Sequence, residues 1–302
     1  MKYKDAINQF AKWKTLQVKQ GTIYGYYWQL VNFGIFLHNK DIEKITEKDI
    51  TDYLYWSDFF GHRGSTKEKQ AIAIKKLLEY CQLKGIDCEQ PQLVPIIKKD
   101  RTFPRVANES DYYKLLSIIP ASGYNHIRNR AIIALLYDSG ARLGEIISLN
   151  VSDIDVENKQ CIIKTEKNNS FRNIFFREAT IVYLNTWIKK REQILNHLTI
   201  EDTDALFISV VGGACGEGTN ARRCDIAAAG EMLRKYSKMA GLKSTFNAHS
   251  LRHRYGRVLA EKGANNSVIS QLMGHNNIDS SKVYTDLFSG TLKKIYHGVF
   301  GE

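Results

Sequence analysis

Proline is scarce in this 302-residue chain, with only 4, and cysteine is hardly more common, with 5. Three of the prolines (Pro91, Pro95 and Pro104) fall in one short stretch, which leaves the rest free to form long uninterrupted helices. The cysteines, Cys81, Cys88, Cys161, Cys215 and Cys224, are odd in number and show no C-x-x-C spacing. Neither a disulfide framework nor a zinc site is indicated, and a reducing compartment fits best. No apolar run approaches the roughly 18 residues a membrane span needs. No apolar stretch stands behind the first residues, Met1 to Ala6, so a cytoplasmic protein is expected.

What is present in excess is positive charge. Lysine and arginine number 43 against 32 acidic residues, a net of +11. A surplus of that size suits a polyanion such as nucleic acid, although a merely soluble basic protein has the same arithmetic. Hydrophobic residues at 43% and charged residues at 25% are ordinary for a globular chain. The length suggests about two domains.

Periodicity predicts a mainly α protein. Four amphipathic helices fill residues 1–97: Lys4 to Leu16, with Ala6, Phe10, Trp13 and Leu16 on one face; Thr22 to His38; a third after the cap-like Thr46 to Asp49, carrying Ile50, Leu54 and Tyr55; and a fourth from Ser65, closed by Gly85. Residues 98–108 read as a linker. They hold Lys98, Lys99, Arg101 and Arg105 against the single acid Asp100, as much net charge as all of residues 1–97. From 109 to 302 the pattern is helical again, with helices expected at 109–118, 126–138, 141–149, 178–195, 224–240, 250–262, 266–273 and 280–288. A small three-stranded antiparallel sheet interrupts them. Its hairpin is expected at Cys161–Glu166 and Phe171–Arg177 around Asn168, Asn169 and Ser170, with Ala205–Ser209 as a third strand. Gly212, Gly213, Gly216 and Gly218 match no phosphate-binding glycine fingerprint and read as a surface loop.

Four stretches of this second region carry polar chemistry: Ser139-Gly-Ala-Arg142-Leu-Gly-Glu145, Glu166-Lys167 at the hairpin turn, His249-Ser-Leu-Arg252, and Leu272-Met-Gly-His275 followed by Tyr284. Arg142, His249 and Arg252 sit at helix openings, where unpaired N–H groups favour phosphate. Arginine adds a planar fork for two phosphate oxygens. Gly274 can end its helix in a left-handed turn and swing His275 out of the helical run. Such a set has one coherent use. Guanidinium and imidazole groups neutralise a phosphodiester transition state without metal, a tyrosine oxygen attacks phosphorus, and a lysine protonates the leaving sugar oxygen.

In order and spacing, these motifs resemble the tyrosine recombinase (phage integrase) family, especially its compact Xer-like members. The likeness spans essentially the whole chain; it is specific in the second-domain motifs and generic in the first. It implies a core-binding helical domain at 1–97, a basic linker at 98–108, and a catalytic domain at 109–302 ending in an exchange tail at about 290–302. It implies Tyr284 as nucleophile, forming a 3′-phosphotyrosine and freeing a 5′-hydroxyl, with Arg142 and Arg252 clamping the scissile phosphate. Lys167 would be the general acid, with Lys164 as competitor. His249 would assist proton transfer, His275 would bond a nonbridging oxygen, and Glu145 would support the site from behind.

The linker residues Lys98, Lys99, Arg101 and Arg105, and Arg254 beyond the second motif, become candidate phosphate contacts. The implied partner is double-stranded DNA with a short core site of inverted repeats. Four protomers would act in the synaptic complex, from a chain that is monomeric off DNA and nucleoid-associated in the cytoplasm. No cofactor, metal or membrane is called for. Two rivals differ in class. A type IB topoisomerase-like enzyme is disfavoured by the small helical first domain, and a non-catalytic DNA-binding protein of the same fold by the tyrosine, for which plain binding has no use.

Overall fold

A computed structural model describes residues 1–62, 64–98, 106–165, 171–197, 199–200, 204–211, 220–243 and 246–274. The chain divides into two compact units, Met1–Thr102 and Phe103–Glu302.

The first unit is all helical: α1 (Tyr3–Lys14), α2 (Gln20–Phe36), α3 (Glu47–Phe59) and α4 (Gly64–Leu83). Its core joins Tyr3, Phe10, Leu30, Phe33, Tyr53, Ile74 and Leu77. The cap expected at Thr46 forms, with the Asp49 N–H donating to the Thr46 hydroxyl at 3.3 Å and the Thr46 N–H donating to the Asp49 carboxylate at 2.8 Å. One expectation fails here. Helix α1 stops at Lys14, so Leu16 lies beyond it and is 91% exposed, while the buried face is Tyr3, Ala6, Ile7 and Phe10.

The second unit is mainly helical around a small sheet. It comprises α5 (Glu109–Ile118), α6 (Tyr124–Ser139), α7 (Leu143–Ile147), β1 (Ile154–Asp155), β2 (Gln160–Lys164), β3 (Phe171–Phe175), α8 (Glu178–Leu195), β4 (Thr199–Ile200), β5 (Ile208–Val211), β6 (Asn220–Arg223), α9 (Ile226–Met239), α10 (Ala248–Glu261) and α11 (Asn266–Met273). Helix α6 is the hub. Every residue from Ala131 to Tyr137 is buried, because α8, α10, α5 and α9 pack around it. The β1–β2–β3 sheet is antiparallel, with Cys161 opposite Ile174 and Ile163 opposite Arg172.

The third strand of that sheet is β1, not the segment at 205–209. Ala205 to Phe207 run inward, and their backbone is claimed by side chains and a neighbouring loop. Arg191 Nε donates to the Ala205 carbonyl at 2.8 Å, Trp187 Nε1 to the Leu206 carbonyl at 2.8 Å, and the Leu206 N–H to the Leu149 carbonyl at 2.8 Å. Only from Ile208 does a strand form, and it belongs to a second sheet ordered β4–β6–β5, parallel at β4–β6 and antiparallel at β5–β6. The expected glycine loop, Cys215 and the helix at 280–288 lie outside the described residues. Among the described residues no helix is long and apolar enough to cross a membrane.

Candidate active site

Three chain turns of the second unit meet through the side chains of Arg142 and Arg252. The first is the reversal after α6, made possible by Gly140 in the left-handed region at φ +60°. It delivers Arg142 to the residue just before α7, where its N–H donates to Glu145 Oε2 at 2.7 Å and its Nη1 to Glu145 Oε1 at 2.9 Å. The second is the start of α10, capped by Asn247, whose side chain accepts from the Ser250 N–H at 2.9 Å. One turn into that helix, Arg252 is buried. The third is the end of α11, where Gly274 takes the expected left-handed conformation at φ 63°.

The two arginines converge on this third turn. Arg252 Nη1 donates to the Gly140 carbonyl at 2.8 Å and its Nη2 to the Met273 carbonyl at 2.5 Å, while Arg142 Nη2 donates to the Gly274 carbonyl at 3.3 Å. Two guanidinium groups thus hold adjacent carbonyls immediately before His275. His249 lies within their field. Burial, then the charges of Arg252 and Arg142, lower its imidazole below the ordinary value, so it is neutral at neutral pH and able to accept a proton. Burial would raise the Glu145 carboxyl, but hydrogen bonds from Arg172 and the Arg142 N–H, with both arginine charges, outweigh it and hold the group below its usual value.

A family described as phage integrase matches residues 105–290. The chain belongs to the phage integrase family. Its relatives include tyrosine recombinase XerD of Oceanobacillus iheyensis, 28% identical over 93% of this chain and 94% of that protein. Tyrosine recombinase XerC of Alcanivorax borkumensis is 24% identical over 92% and 87%. Two solved structures share the fold. The Tn1549 transposon integrase in complex with transposon right end DNA superposes with a TM-score of 0.77 at 18% identity over 100% of both chains. A lambda integrase tetramer bound to a Holliday junction does so with a TM-score of 0.71 at 16% identity, covering 94% of this chain and 77% of that one.

The remaining candidate residues of this phage integrase family chain are spread over several elements. Arg254, expected as a phosphate contact, is turned inward with its side chain 16% exposed. Its guanidinium lies 4.3 Å above the Tyr137 ring and pairs with Glu109 at 3.4 Å. Glu145, expected behind the site, has a fully buried side chain. Lys98 is exposed. Lys99, Arg101, Arg105, Lys167, His275 and Tyr284 lie outside the described residues. Arg172 was missed altogether. It projects from the inward face of β3, opposite Ile163, and forks Glu145 through Nη1 at 3.0 Å and Nη2 at 2.9 Å. The available signal was an arginine alternating with Ile174 in a five-residue strand.

Proposed function

We infer that this chain is a site-specific tyrosine recombinase, which cuts and rejoins DNA strands through a 3′-phosphotyrosine and a Holliday junction. The observation that carries the reading is the convergence of the Arg142 and Arg252 guanidiniums on the carbonyls of Gly274 and Met273, with a neutral imidazole at His249 beside them. Relatives named as Xer tyrosine recombinases over nearly the whole chain support it.

The Tyr284 oxygen bonds to phosphorus, its proton passes to His249, and the bond to the 5′ oxygen breaks as Lys167 supplies a proton to that oxygen. Arg142, Arg252 and His275 spread the charge that builds on the nonbridging oxygens. Religation runs the same steps backwards with the 5′-hydroxyl of the exchanged strand. The phosphotyrosine ester keeps the energy of the broken link, so no nucleotide triphosphate is consumed. Each chain supplies one tyrosine, and two duplexes need four cuts, so four protomers assemble on paired inverted repeats from chains that are monomeric off DNA. The helical first unit grips the core site, and Lys98, Lys99, Arg101 and Arg105 follow the phosphate backbone. The cytoplasm and the nucleoid are its place of work.

The test uses a nicked duplex carrying the site that the wild-type protein selects from a randomised pool. Cutting beside the nick releases a short fragment and strands the covalent adduct. Wild type accumulates it, and Tyr284→Phe binds the duplex but forms none. An undiminished adduct with Tyr284→Phe overturns the nucleophile, and no adduct with wild type overturns the enzyme. With a 5′-phosphorothiolate, whose leaving sulfur needs no proton, Lys167→Ala recovers; recovery of Lys164→Ala instead transfers the general acid to that residue.

A further inference from the structure

Glu145 serves two arginines at once. Oε1 accepts from Arg142 Nη1 at 2.9 Å and Arg172 Nη1 at 3.0 Å; Oε2 accepts from the Arg142 N–H at 2.7 Å and Arg172 Nη2 at 2.9 Å. The fork from Arg172 is bidentate, the geometry that best fixes a carboxylate plane. That plane in turn sets the direction of Arg142. The Arg172 side chain is 9% exposed and that of Arg142 25%, so Arg142 is the more open of the two.

Two further features mark how tightly Arg172 is held. Its Nε is buried and makes no hydrogen bond among the described residues, a cost that a freely chosen rotamer would avoid. Its guanidinium also lies close against Gly274, where a Cβ would come within 2.3 Å of Nη1 and 2.7 Å of the central carbon. Gly274 is the residue whose carbonyl accepts from Arg142 Nη2. Arg172 therefore touches both groups that orient Arg142.

We propose that Arg172 is a positioning residue for phosphodiester cleavage, acting on the scissile phosphate through Glu145 and Arg142 without touching DNA. Its role is electrostatic as well as geometric. With Arg172 present, one carboxylate is divided between two cations, and Arg142 keeps positive potential to offer a phosphate. Without it, Glu145 pairs with Arg142 alone, quenches that charge and leaves its direction loose. The inference rests on the recombinase reading.

The test compares adduct formation by the full chain on the selected nicked duplex with either a phosphate or a methylphosphonate at the scissile position. Methyl in place of a nonbridging oxygen removes the charge that Arg142 neutralises. Arg172→Ala is expected to slow the phosphate reaction about 10²-fold, the usual cost of a small misplacement, while DNA affinity stays within about threefold. On the methylphosphonate the deficit shrinks to less than about fivefold, and in an Arg142→Ala background Arg172→Ala adds less than about threefold, because the two act as one unit. Arg172→Lys, which keeps the charge but cannot fork, falls between wild type and Arg172→Ala. Equal losses on both substrates, or full additivity with Arg142→Ala, overturn the proposal and leave Arg172 a purely structural residue. A wild type that forms no adduct on phosphate overturns the recombinase reading and this inference with it.

Discussion

Arg252 Nη1 donates to the carbonyl oxygen of Gly140 at 2.8 Å, across 112 positions of the chain. The bond ties the second arginine of the site to the turn that launches the first. With Nη2 on the Met273 carbonyl, the planar fork is held at two points, and its direction does not depend on bound DNA.

Arg252→Lys is expected to be far from conservative. One ammonium cannot serve Gly140, Met273 and a phosphate in the directions a guanidinium does. Adduct formation should fall about 10² to 10³-fold, as on loss of a charge-stabilising donor, with duplex affinity little changed. Single-turnover cleavage and a binding isotherm on the same duplex check this; a lysine variant within about threefold of wild type contradicts it.

Gly140 admits no side chain. Its φ of +60° strains any L-residue, and a Cβ there would come within 2.3 Å of the Tyr255 ring and 2.8 Å of its Cβ. Gly140→Ala should lower unfolding free energy by about 2–4 kcal/mol, the sum of left-handed strain and overpacking. In a Tyr255→Ala background the same change should cost about 1 kcal/mol less, since the ring overlap goes while the left-handed strain and the 2.8 Å approach to the Cβ of residue 255 remain. Urea midpoints of the four proteins give the answer; an equal cost in both backgrounds shows that the ring yields.

His253 should make the second unit acid-sensitive. Burial, then the charges of His249 and Arg252, push its imidazole down to about 4, while the unfolded chain keeps the ordinary value of about 6.5. Folded pKa lies below unfolded pKa, so the unfolded state takes the proton first on acidification. The stability is complete above about pH 6.5 and is lost progressively toward about pH 4. His253→Gln should flatten the fall of Tm over that window and run parallel to wild type above it. Identical slopes would show that other groups set the acid limit.

Arg142, Arg252 and the Gly274 turn were legible because each rests on local rules, a residue type at a helix boundary or a glycine after a periodic run. Arg172 was not. Phe171-Arg-Asn-Ile-Phe175 alternates in a way that allows either face inward, and hydrophobicity favours burying the phenylalanines. The structure exposes them, at 68% and 46%, and turns Arg172 and Ile174 inward. The choice was made by a partner in another element, the Glu145 carboxylate, which no periodicity reports. The misplaced third strand has a similar origin. Strand β1 has two residues, too few to carry a period, whereas Ala205 to Phe207 are apolar because they are buried coil capped by Trp187 and Arg191. Arg254 reads from sequence as a candidate phosphate contact, and only the folded chain reveals Tyr137 beneath it.

The Arg142–Gly274 hydrogen bond spans 132 positions, and the Arg252–Met273 bond closes only when α11 is in place. During synthesis, a chain that has emerged only through α10 holds both arginines but neither carbonyl that anchors them beside the site. Tyr284, the proposed nucleophile, follows Gly274 by ten positions in the sequence. The two arginines therefore gain the carbonyls that fix their direction only once α11 has been made, and the cluster is completed by the last helix of the described residues.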